Sequence, residues 1–181
     1  MARTVILDPL AEARLLAQSK ADARSREAAF GEIFRVLREP VLALCLHVTG
    51  RRADAEDALQ EVFLAVHRAL PHFRGDARLT TWIYRIALRA AVRAKGRRPT
   101  TAAPPLEPPG EDGQARLELR EQARRLRDAF AKLTAEQRAV LSLFALEGMS
   151  HREIADVLGV PEGTIWSRLH HARRRLAEHM S

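Results

Sequence analysis

Apolar residues return along most of this chain at intervals of three and four, the period of a helix with one buried face. At 53–70 the stripe is Leu59, Val62, Phe63, Val66 and Leu70. At 79–95 it is Leu79, Ile83, Ile86, Ala90 and Ala94, and at 161–178 it is Ile165, Leu169, Ala172 and Leu176. The same reading predicts helices near 8–19, 23–48 (bent at Pro40), 53–70 and 79–95, then near 115–132, 135–147, 150–158 and 161–178. The expected fold class is all-α.

The breaks between these segments carry their own chemistry. The chain turns at Gly50, and Asp54, Glu56 and Asp57 then place negative charge in the first turns of the next helix, where the helix dipole favours it. Pro71, Gly75 and Asp76 interrupt the pattern again. Ser150 and Glu153 stand as S-x-x-E, a capping box opening a short helix. Gly159, Val160 and Pro161 then impose the tight turn that a helix-turn-helix requires.

One stretch belongs to neither set of helices. Residues 96–113 read GRRPTTAAPPLEPPGEDG and hold five of the nine prolines, Pro99, Pro104, Pro105, Pro108 and Pro109. Proline removes backbone donors and pushes its neighbours toward extended conformations, so a semi-rigid linker is expected over 97–114. It divides the chain into two small helical domains, 1–96 and 115–181.

Charge narrows the class of partner. The chain carries a formal net charge of +7 with an isoelectric point near 10.8, which favours a polyanion, nucleic acid ahead of a membrane surface. With 46% hydrophobic and 29% charged residues among 181, it has the balance of a globular rather than a disordered protein. Cys45 is a lone thiol, which allows no disulfide framework and fits a reducing cytoplasm. Residues 1–16 lack an apolar signal-peptide core, and no apolar run is long enough to span a membrane, so a cytoplasmic location without membrane insertion is expected.

Three helices hold the candidate binding residues. Opposite the apolar stripe of 53–70 lie Asp57, Gln60, Glu61, Leu64 and Arg68. The charges alone suit a solvated face, but Leu64 among them also suits a protein contact. In 79–95, Arg85, Arg89 and Arg93 fall at helical spacing after Arg78, with Trp82 between. Six basic residues and no acidic one occur from Arg85 to Arg98, so the stripe is expected to repel itself unless an anion neutralises it. Trp82 is either a partly buried core aromatic or a platform for an unstacked base. In 161–178, Trp166, Ser167, His170, Arg173 and Arg174 project away from the core with His171 at the edge, matching a recognition helix in a major groove. His170 and His171 have no cysteine or carboxylate ligand beside them, and no metal or other cofactor is expected.

At this point the residues resemble a known family. DAEDALQEVFLAVHRAL (54–70) followed by FRGDARLTTWIYRIA (73–87) looks like region two of the extracytoplasmic-function sigma factors of bacterial RNA polymerase. LTAEQRAVLSLFALEGMSHREIADVLGVPEGTIWSRLHHARRRL (133–176) looks like region four. The order and separation of the two blocks make the likeness specific, since a helix-turn-helix alone is shared with many repressors.

The resemblance implies roles. Asp57, Gln60, Glu61 and Leu64 would dock on the core polymerase. Phe73, Arg74 and Arg78 in the loop 73–78, with Trp82, Arg85, Arg89 and Arg93, would read and open the minus-ten promoter element. Glu162, Thr164, Trp166, Ser167, Arg168, His170, His171, Arg173 and Arg174 would meet the minus-thirty-five element as duplex. Core RNA polymerase, promoter DNA and a separate anti-sigma protein would be the partners, with no small-molecule substrate. Three positions depart from the family pattern. Arg89 stands where Asn is usual, Arg93 where Asp is frequent, and Trp166 where a basic residue is common.

Two rival functions have less in their favour. A dimeric helix-turn-helix repressor would leave the 53–70 face unexplained. An enzyme acting on nucleic acid would need a motif, and no Walker A sequence, G-x-S-x-G, H-E-x-x-H or deaminase zinc pattern occurs. The chain reads as a non-enzyme.

Overall fold

A computed structural model of the chain describes residues 7–96 and 113–180. Most of the expected linker, at 97–112, lies outside the described residues. The described residues form eight α-helices and no strand. α1 (Pro9–Lys20), α2 (Ala23–Thr49), α3 (Arg52–Ala69) and α4 (Leu79–Gly96) make the first half. α5 (Gly113–Ala131), α6 (Ala135–Ala145), α7 (His151–Leu158) and α8 (Glu162–Met180) make the second.

The helix ends follow from local chemistry. Asp8 caps α1 by accepting from the backbone N–H of Leu10 and Ala11, with Pro9 in the first turn, where its missing N–H costs nothing. Asp22 caps α2 through Ser25. α2 runs without interruption through Pro40 to Gly50, whose φ of 77° supplies the left-handed stop. A 3₁₀ turn, Leu70–His72, follows α3 with Pro71 inside it; the sequence pattern shows only a break there. The Ser150–Glu153 capping box forms as expected, and Thr134 with Gln137 makes a second one opening α6.

α2, α3 and α4 pack on one another, and α1 lies along α2. Their contact buries Ile33, Leu37, Leu44, Val62, Leu70, Leu79 and Ile83, each contributing about 1.5–3 kcal/mol. The expected stripes of α3 and α4 face this core, with Ile86 only partly buried. In the second half α8 rests on α5, α6 and α7 through Ile165, Leu169 and Ala172. The buried apolar residues of both halves join in one continuous cluster, because α6 packs against α2 and α7 against α4.

Cys45 is fully buried, and burial pushes its thiol up to about 12. The reactive thiolate is therefore scarce at ordinary pH. A maleimide at pH 8 is expected to label the folded protein only as fast as the core opens, and the urea-unfolded chain within minutes. Rapid labelling of the native protein would contradict this packing.

Candidate nucleic-acid interface

The helix-turn-helix forms as the sequence predicts. Gly159, at φ 66°, ends α7 in the left-handed conformation, which lets α8 start three residues later at a new angle. Ile165, Leu169 and Ala172 fix α8 against its neighbours. This leaves Glu162, Trp166, Ser167, His170, His171, Arg173 and Arg174 exposed and Thr164 half-buried. Arg168 is turned back onto Glu136 of α6 at 2.9 Å. The Trp166 ring lies 4.0 Å from that of His151, which in turn stacks on Phe144.

Contrary to the sequence expectation, two of the arginines in the stripe meet carboxylates: Arg93 on α4 and Arg78 just before it. Arg93 pairs with Glu61 of α3 at 2.5 Å. Arg78 lies 3.6 Å from Glu12 and 3.7 Å from Glu153 of α7, and donates to the Leu7 carbonyl at 2.7 Å. Arg85 donates to the main-chain carbonyl of Asp156 at 2.8 Å. The compensating groups come from elements distant in sequence, which a count along one helix does not reveal. Arg89 is exposed and lines, with Leu88, Val92, Leu158, Val160 and Arg168, a cleft of about 450 Å³ between the halves. Arg74 is exposed, whereas Phe73 is buried against the half-buried Trp82, with ring centres 4.9 Å apart.

The α3 face keeps Asp57, Gln60 and Leu64 in solvent and Glu61 partly so. Leu64 is 57% exposed. Phe34 of α2, edge-on to Phe63 at 4.7 Å, is a further exposed apolar group that helical spacing did not single out.

Four residues at the junction of the halves were not flagged by the sequence. The Tyr84 hydroxyl of α4 donates to Glu147, between α6 and α7, at 2.5 Å, and both side chains are buried. Arg138 of α6 is 2% exposed and donates across the junction to the Val48 carbonyl at 3.1 Å. That carbonyl belongs to the last turn of α2, where helix carbonyls lack intrahelical donors and the dipole favours a cation. His47 packs on Phe130 of α5 with ring centres 5.3 Å apart.

Burial holds the His47 imidazole below its ordinary value of 6.5; Arg138 acts in the same sense, while the Ala43 backbone opposes both. Burial pushes the Glu147 carboxyl up, with the Tyr84 hydrogen bond working against it. His47 thus contributes stability that is present above pH 6.5 and lost as pH falls through its lowered value. Glu147 contributes in the opposite sense: its share is full below the ordinary carboxylate range and lost as pH rises through the raised value. In thermal melts against pH, His47→Phe is expected to remove a loss seen as pH falls below 6.5, and Glu147→Gln a loss seen as pH rises above the ordinary carboxylate range. Melting profiles of unchanged shape in both variants would contradict these environments.

Comparison with known proteins agrees with both halves. Residues 33–99 match the family Sigma-70 region 2, and residues 123–176 match Sigma-70, region 4. Over 151 residues the chain is 35% identical to the ECF RNA polymerase sigma factor SigM of Mycobacterium tuberculosis, covering 82% of this chain and 76% of that one. The chain belongs to the extracytoplasmic-function sigma factors. The RNA polymerase sigma-H factor of Pseudomonas aeruginosa is 32% identical over 168 residues, covering 84% and 86% of the two chains. Among solved structures, CnrH in complex with the cytosolic domain of CnrY superposes with a TM-score of 0.68 at 27% identity, covering 92% of this sigma factor and 95% of CnrH. Among the described residues of this sigma factor, no helix is long and apolar enough to cross a membrane.

Proposed function

We propose that this sigma factor binds core RNA polymerase in the cytoplasm and directs it to promoters, with no catalysis of its own. One observation carries the reading: a single chain holds a helix-turn-helix with an exposed basic α8 and, separately, an arginine-lined α4 beside an exposed α3 face. On this reading α3 docks on the polymerase through Asp57, Gln60, Glu61 and Leu64. α4 and the loop before it open the minus-ten element, and α8 reads the minus-thirty-five element. The working division is region 2 over 1–96, linker over 97–114 and region 4 over 115–181. The complex of CnrH with the cytosolic domain of CnrY supports a protein partner for this sigma factor as well, and a separate anti-sigma protein is the one expected.

Distances then require the halves to separate. Elements named for positions 35 and 10 lie 25 base pairs apart, about 85 Å along B-DNA. A compact chain of this length has a radius of gyration of about 16 Å and does not reach both. The sixteen residues 97–112 before α5 span at most about 58 Å when extended, which supports a spacing role for the expected linker 97–114.

The test adds the pure chain to sigma-free core polymerase and maps transcripts on duplex and pre-melted templates. Promoter-specific starts that core polymerase alone does not make are expected. Arg85→Ala with Arg93→Ala should impair opening on every duplex promoter, spare pre-melted templates, and lower the salt slope of binding by about 2. Ser167, His170 or His171 variants should change the preferred upstream sequence, since base-edge contacts discriminate by about 1–3 kcal/mol. Recognition-helix variants with unaltered preference would reduce α8 to a basic anchor.

A further inference from the structure

Trp166 is 59% exposed, the most exposed of the Phe, Tyr and Trp side chains, yet it does not hang free. Its ring centre lies 4.0 Å from that of His151, the first residue of α7, at an interplanar angle of 38°. The His151 imidazole stacks on Phe144 of α6 at 5.4 Å and 11°. The guanidinium of Arg173, two turns further along α8, lies 4.8 Å over the Phe144 ring. Four side chains from three helices thus form one connected stack that ends at the indole.

Such a stack fixes an apolar side chain in solvent, where burial gives nothing back. An indole has only two side-chain torsions, so little further entropy is lost when it is placed against a ligand. Trp166 stands on the second turn of α8, beside Ser167 and one turn before His170. The N-terminal part of a recognition helix is the part that meets base edges. Among the groups that bases present in the major groove, one is apolar: the C5-methyl of thymine.

We propose that Trp166 reads thymine methyl groups in the upstream promoter element, and that His151 is the positioning residue that holds the indole for that contact. The inference rests on the placement of α8 in the groove and adds to it a base, an atom and a supporting side chain. A basic residue at this position would seek guanine or phosphate; the indole exchanges that preference for a hydrophobic one.

The experiment uses holoenzyme assembled from core polymerase and the full chain, on promoter fragments with single upstream thymines replaced by uracil. That exchange removes the methyl and keeps base pairing. Wild type is expected to lose about fourfold in affinity at one or two positions, the worth of one buried methyl. Trp166→Ala should bind thymine and uracil alike there. His151→Ala should lose part of the discrimination, and His151→Phe, which keeps an aromatic ring in the stack, should restore it.

Three results would overturn the proposal separately. If no thymine is methyl-sensitive while Ser167 or His170 variants still change base preference, α8 reads DNA but Trp166 does not read methyls. If those variants change nothing either, the placement of α8 itself is wrong. If Trp166→Ala lowers affinity for core polymerase instead, the indole is a protein contact. Full methyl sensitivity in His151→Ala would remove the positioning role alone.

Discussion

Asp57→Arg combined with Glu61→Arg is expected to weaken holoenzyme assembly on the order of a hundredfold or more, because like charges set against each other at an interface cost several kcal/mol. Helicity and melting temperature should stay near those of the wild type. The stability of α3 comes from the other side of the helix, where Ala55, Ala58, Val62 and Val66 are buried. Asp57 is exposed, and the one ion pair lost in the described structure, Glu61 with Arg93, joins two half-exposed side chains. Surface pairs of this kind are worth about 0–1 kcal/mol. The measurement is titration of labelled protein with core polymerase, beside circular dichroism and a thermal melt. Normal affinity in the double variant would assign the α3 face another use.

Glu147→Lys is expected to drive the two halves apart. The carboxylate accepts from the buried Tyr84 hydroxyl, and a lysine there sets an unpaired charge in the junction, at a cost of several kcal/mol. Opening relieves that cost by returning the charge to water. It also frees Arg78 from Glu153 and Arg85 from the Asp156 carbonyl. Affinity of the free protein for a single-stranded minus-ten oligonucleotide should rise about tenfold or more, because the binding-competent fraction rises. Fluorophores on Arg68→Cys and Arg175→Cys, both exposed positions, report the separation by energy transfer; Cys45, buried, stays unlabelled. Tyr84→Phe, a milder change, should shift both readings in the same direction. Unchanged energy transfer in folded Glu147→Lys would show that this hydrogen bond does not hold the halves together.

The helices were legible because their stripes are long and their caps explicit. The reading at 23–48 meets α2 within a residue at its end, where Gly50 is a strong signal of stop. The second half was legible to the level of the Gly159 turn. What the sequence hid was the meeting of the halves. Arg138 sits on α6 between Gln137 and Ala139, where an arginine ordinarily faces water, and nothing local shows that α2 ends beside it. Glu147 reads as the last residue of the helix expected over 135–147, and its burial depends on a tyrosine 63 residues away. The sequence shows Arg78, Arg85, Arg89 and Arg93 as a stripe but not the pairing of Arg93 with Glu61 and of Arg78 with Glu153, which arises only through tertiary packing.

The contact between Arg138 and Val48 has an evolutionary consequence. Its acceptor is a main-chain carbonyl, a group that every amino acid at position 48 supplies as long as α2 ends in the same place. Drift in the α2 sequence therefore leaves the acceptor intact, whereas a single codon change at position 138 removes the donor. Half of this docking point is encoded in helix length and not in side-chain identity. Chimeras that keep α2 the same length but exchange its surface residues should still accept the second half of the molecule.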